Sequence, residues 1–188
     1  MDDRLTQLAA ELDQITRGTR EAFGRLPLDR LNWKPAPDRW SIAQCLDHLI
    51  LINRLYFPLL ASMKSGSPTA TFWERHSPFS GLLGRLLIRT LSPEYPRKLK
   101  TNRKAQPSTS EIDDGILDRF TRHQSELIEH VREIPQSVDR RTTIVTSPLL
   151  RWVTYSLDDC LTILVVHEKR HFQQAMRVMQ TEGFEKRG

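Results

Sequence analysis

The chain has 188 residues, 38% of them hydrophobic, with 28 Lys and Arg against 23 Asp and Glu and a net charge of +5. That length suits one domain spanning 1–188 with a real core. No apolar run nears a bilayer span, Met1-Asp2-Asp3-Arg4 opens no signal peptide, and Cys45 and Cys160 are too few for a disulfide framework. A soluble protein of a reducing cytoplasm, without a membrane partner, is expected.

Four long amphipathic segments predict four helices. The first runs from Asp3 to Gly24 and aligns Leu5, Leu8, Leu12, Ile15, Thr19 and Phe23 on one face. The second begins at Ser41, whose hydroxyl caps the helix while Gln44 reaches back in a capping box. It continues towards Lys64, with a kink or stop expected at Pro58. Some forty-five residues rich in Pro, Ser and Arg follow, with one short apolar helix over 79–91. The basic stretch Arg97 to Lys104 in this connection lacks interleaved aromatics, so a solvated loop is expected and not a nucleic-acid partner.

The third helix is predicted from Ser110 to Glu133, burying Ile116, Phe120, Leu127, Val131 and Ile134, with Pro135 closing it. A second long connection, 136–155, holds Thr142 to Thr146 as an extended candidate, but no series of strands alternates well enough to build a sheet. The fourth helix starts after Ser156, with Asp159 three residues on, and ends near Gly183. Together these elements predict an all-α fold, an antiparallel four-helix bundle with long crossover connections.

The fourth helix carries the chemistry. His167 and His171 are four residues apart and point the same way, so both can hold one metal ion. With Leu164 as the centre of the apolar stripe, Glu168 and His171 lie inside it and His167 on its edge. A carboxylate buried between two inward histidines is costly unless something satisfies it. The alternative to a metal is a buried His–Glu hydrogen-bond cluster without an ion. The string His167-Glu168-x-x-His171 also matches a metalloprotease motif. A third ligand for that chemistry is missing: Arg177 stands six residues beyond His171, and Glu182 and Glu185 follow too closely to fold back. Of the other histidines, His48 lies at the edge of the stripe formed by Ile42, Cys45, Leu49, Ile52 and Tyr56, where it can meet the pair. His123 and His130 read as surface or boundary residues and His76 as exposed.

Leu31-Asn32-Trp33-Lys34-Pro35-Ala36-Pro37-Asp38-Arg39-Trp40-Ser41-Ile42-Ala43-Gln44-Cys45-Leu46-Asp47-His48-Leu49 resembles the start of DinB/YfiT-like proteins. The tail, from Ser147-Pro148-Leu149-Leu150 to His167-Glu168-x-x-His171-x-x-Gln174, is similar to that family's last helix. The resemblance implies a four-helix bundle, often dimeric, with a divalent metal held by His48, His167 and His171. Zinc or nickel come first as the metal, then iron or manganese. Gln174 matches a polar residue that follows the last histidine. The resemblance also implies metal-dependent work on a small molecule, in particular transfer of a low-molecular-weight thiol. One alternative is a hydrolase in which Glu168, the candidate catalytic base, takes a proton from metal-activated water. Another is a scaffold or sensor whose metal is structural. Trp33, Trp40 and Trp152 flank these motifs as candidate pocket walls, and Lys34, Arg39 and Arg151 are candidate partners for a substrate carboxylate.

Overall fold

The computed structural model describes residues 3–64, 71, 74, 77, 79–96, 106–108 and 111–184. Among these the fold is mostly helical, with one small two-stranded sheet. The elements in order are α1 (Asp3–Phe23), α2 (Leu28–Asn32), α3 (Ile42–Met63), α4 (Ser80–Leu91), α5 (Ile116–Arg132), β1 (Ile144–Thr146), β2 (Thr154–Ser156) and α6 (Leu157–Met179). No helix among the described residues is long and apolar enough to cross a membrane. The stretch 97–104, His76 and the expected start of the third helix at Ser110 lie outside the described residues.

α1 buries the expected stripe. α3 opens with the complete capping box: Ser41 Oγ accepts from the Gln44 N–H at 3.1 Å, and Gln44 Oε1 accepts from the Ser41 N–H at 3.2 Å. Pro58 neither stops nor shortens this helix, which continues to Met63. Tyr56, Leu60 and Met63, all buried, tie the chain down on both sides of the proline and outweigh its missing N–H. α6 is capped as expected, with Ser156 Oγ accepting from the Asp159 N–H at 3.0 Å.

Two helix ends differ from expectation. α5 starts at Ile116 because the preceding backbone is committed elsewhere: the Asn32 amide donates to the Ile112 carbonyl at 2.8 Å and accepts from its N–H at 3.0 Å. α6 ends at Met179. The chain then turns through Gly183, at φ +92°, so that buried Phe184 packs edge-on against Trp33 at 5.6 Å.

Contacts between helices fix their directions. Arg4 reaches Thr162, Lys169 reaches Glu11, and Phe172 packs on Phe23, so α1 and α6 run the same way. Phe57 stacks on His123 and Lys64 pairs with Glu133, so α3 and α5 also run together. His48 faces His167 while Tyr56 lies beside Cys160, which makes α3 and α6 antiparallel. The expected antiparallel packing with long crossovers thus holds between α3 and α6, while α1 with α6 and α3 with α5 run the same way. Two neighbours pointing the same way need a connection that travels back along the whole helix, and the long 64–115 segment supplies it.

The apolar interior falls into two clusters. One joins the first half of α1, the second halves of α3 and α5, and the first half of α6; the other joins the opposite halves. The second connection holds a hairpin whose first strand falls within the extended candidate 142–146, although periodicity gives no sign of its pairing partner. Ile144 pairs with Ser156, Val145 with Tyr155 and Thr146 with Thr154, closing the end of the first cluster with buried Val145 and Tyr155.

Candidate metal centre

The candidate site lies between these two clusters. α3 presents His48 about two turns from its N-cap Ser41. α6 presents His167 and His171 on one face, because four residues span about one turn. All three side chains are buried, and all three offer a nitrogen within 4.8 Å of the others. Their rings meet edge to face, with centroids 4.5 to 5.1 Å apart. Thus the structure brings together the three histidines that the motifs singled out.

Spacing and protonation both fit a divalent ion. His48 Nε2 and His167 Nε2 stand 3.2 Å apart. Two nitrogens at about 2.1 Å from one ion would then subtend roughly 100° at it, between octahedral and tetrahedral values. Burial holds His167 down at about 3, with smaller contributions from His48 and Arg170. The same burial holds His171 well below the ordinary imidazole value, joined by His167, His48 and Arg170 and opposed by a hydrogen bond that the ring donates to Gln174. Both rings are therefore neutral, the form that ligates a metal. No fourth His, Cys, Asp or Glu joins the group among the described residues.

Glu168 is fully buried one residue from His167, and its charge is met by amides. Asn53 Nδ2 donates to Oε1 and Gln124 Nε2 to Oε2, each at 2.6 Å. Burial raises this carboxyl to about 7, and the two hydrogen bonds pull the other way. Neither amide was singled out from the sequence. Both carried a readable signal: Asn53 is four residues after Leu49 and Gln124 four after Phe120, each a polar residue inside an apolar stripe.

The expected walls fare unequally. Trp40 stacks on His171 at 5.5 Å and 22°, and tilts over His48 at 4.8 Å. Trp33 packs on Phe184 and lines a separate cleft with Leu28, Arg30, Lys34 and Glu111, and Trp152 is 80% exposed. The 136–155 connection meets the start of α6, about 17 Å along the helix from His167 at 1.5 Å per residue. Arg170, next to the site on α6, ties down the segment after α4 by donating to the Ser92 carbonyl at 2.8 Å. Lys34 donates to the Pro37 carbonyl.

His123 is a further correction. It is 3% exposed, stacked on Phe57 at 4.9 Å, and burial lowers it to about 4. His130 is half-buried against the same ring at 4.6 Å. His123 follows Phe120 by three residues, so it sits in the stripe and not beside it.

No curated protein and no solved structure was found to match the chain. A family model described as the DinB superfamily matches residues 11–175, a span that contains all three histidines, Trp40, Glu168 and the amides that hold it. With nearly the whole chain inside that match, the protein belongs to the DinB superfamily.

Proposed function

We propose that the four long helices form one bundle domain and that the protein is a divalent-metal-dependent enzyme acting on a small molecule, of the low-molecular-weight thiol S-transferase type. One observation carries this: a buried set of three imidazoles with no fourth His, Cys, Asp or Glu in the group among the described residues. Structural zinc sites are closed by four protein ligands, whereas three leave positions for a substrate. His48, His167 and His171 would hold the ion; all-imidazole donors suit zinc, nickel or iron, and manganese less well. Once bound, it would supply a positive charge that favours the thiolate over the thiol.

The chain's own residues do the rest. Burial keeps His167 and His171 neutral, and Trp40 covers His48 and His171 from one side. Glu168, clamped by Asn53 and Gln124, locks the rotation of α6 and with it the aim of the two adjacent ligands.

A hydrolase is favoured by one fact, the carboxyl of Glu168 at about 7, which suits a proton acceptor near neutrality. Both its oxygens already accept from amides, which weighs against that role. Glu168→Gln separates the two: a loss of activity near a hundredfold with metal retained indicates proton transfer, and a small loss indicates positioning.

The test is turnover by the metal-loaded protein with a panel of small thiols and electrophiles. Activity should require the metal and vanish in His167→Ala. Were chelation to lower the melting temperature while no thiol or ester is turned over, the metal would be structural.

A further inference from the structure

α4 has one face anchored and one face bare. Its inner side is set by three contacts. Ser80 Oγ bonds Thr154 Oγ1 of β2 at 2.8 Å, Gly84 lies so close to Asp159 that a Cβ there would clash with the carboxylate, and Arg170 holds the carbonyls of Thr90 and Ser92. Leu87, Ile88 and Leu91 pack inward against the first apolar cluster. The helix therefore cannot roll, and its other side must face outward. There Phe79, Leu82 and Leu86 are 61%, 60% and 53% exposed, at the spacing of a single helical stripe.

The Ser80–Thr154 bond brings the turn before β2 to the same end of the helix. That turn adds exposed Leu150 and Trp152. Scattered exposed leucines need no explanation, but a stripe beside an 80% exposed tryptophan does. On the two segments themselves the charges are all basic; nearby acids among the described residues include Glu74, bonded to Thr146, and Glu94, past the end of α4. Arg85 and Arg89 are exposed on α4, Arg151 is exposed between Leu150 and Trp152, and neither segment contains an acidic residue.

We infer that this face docks on an anionic lipid surface, with α4 lying in the plane of the headgroups. Phe, Leu and Trp entering the acyl boundary beneath a basic rim is the pattern of an interfacial helix. Tryptophan is most at home where one side is apolar and the other wet. The charge pattern argues against a second copy: face-to-face pairing would bring Arg85, Arg89 and Arg151 of both chains into one seam. The sequence expectation of no membrane partner rested on span length, which surface docking does not require.

The test is sedimentation of the full chain with vesicles of pure phosphatidylcholine, or of phosphatidylcholine with about 30% phosphatidylglycerol, at low and high salt. Binding should appear on the anionic vesicles, weaken with salt, and fall about tenfold or more in Leu82→Ser/Leu86→Ser and in Arg85→Glu/Arg89→Glu. These side chains are exposed, so circular dichroism should match the parent. Equal binding to both vesicle types, or binding unchanged in either double variant, overturns the inference. So does a dimer in analytical ultracentrifugation that Leu82→Ser/Leu86→Ser converts to monomer while neither vesicle binds, because the patch is then an interface between copies.

Discussion

His48 and His167 belong to helices that run in opposite directions and are separated by 119 positions in the chain, yet their Nε2 atoms stand 3.2 Å apart. Two imidazole nitrogens that close must share a proton or an ion. A neutral pair shares one N–H as a hydrogen bond, whereas an ion would take the lone pairs of both, and burial keeps His167 in the neutral form that ligation needs. His48→Ala should therefore lower affinity for zinc or nickel by at least about a hundredfold without unfolding the chain. Isothermal titration against a competing chelator measures it; affinity unchanged in this variant removes His48 from the site.

Asn53 and Gln124 are expected to matter through Glu168. Asn53→Leu or Gln124→Leu leaves one carboxylate oxygen buried without a donor, at a cost of about 2–3 kcal/mol. The double variant should cost less than the sum, because Glu168 then takes up a proton and no longer needs either amide. Urea unfolding of the four proteins gives the coupling. Strict additivity would mean the two amides act separately.

Acid should destabilise the metal-free protein. His167 sits at about 3, His123 at about 4 and His171 well below the ordinary value, so each binds fewer protons folded than unfolded. Their contribution is whole above about 6.5 and is lost as pH falls below it. Glu168, raised to about 7, works in the opposite sense between its ordinary value and 7, and offsets part of the loss. The melting temperature of chelated protein should fall between pH 7.5 and 5, and more steeply in Glu168→Gln. A rise on acidification would show that the histidines are not buried neutral.

Trp40→Ala removes the ring stacked on His171 and tilted over His48. Aromatic pairs contribute about 0.5–1.5 kcal/mol beyond burial. The variant should keep its metal but release it to a chelator faster, several-fold by stopped-flow. An unchanged release rate would leave Trp40 as packing alone.

Periodicity made the four long helices and their inner faces legible, because a stripe at 3.6 residues needs no partner to be seen. Spacing and resemblance brought His48, His167 and His171 together before the fold did. What escaped depends on contacts distant in sequence. Helix direction is written in pairs such as Lys64 with Glu133. The hairpin joins three residues at 144–146 to three at 154–156, too short to alternate visibly. Glu168 showed itself as an anomaly in an apolar stripe. Its partners Asn53 and Gln124 were equal anomalies on two other helices, visible only when all three stripes are compared.

One measurement bears most directly on the three-histidine centre: metal content of the purified protein after incubation with zinc or nickel, with X-ray absorption at the metal edge. About one ion per chain, bound by imidazole nitrogens near 2.0–2.2 Å and lost in His167→Ala, is the predicted result. A chain that retains no zinc, nickel, iron or manganese, or that holds its ion equally well without His167, would contradict it.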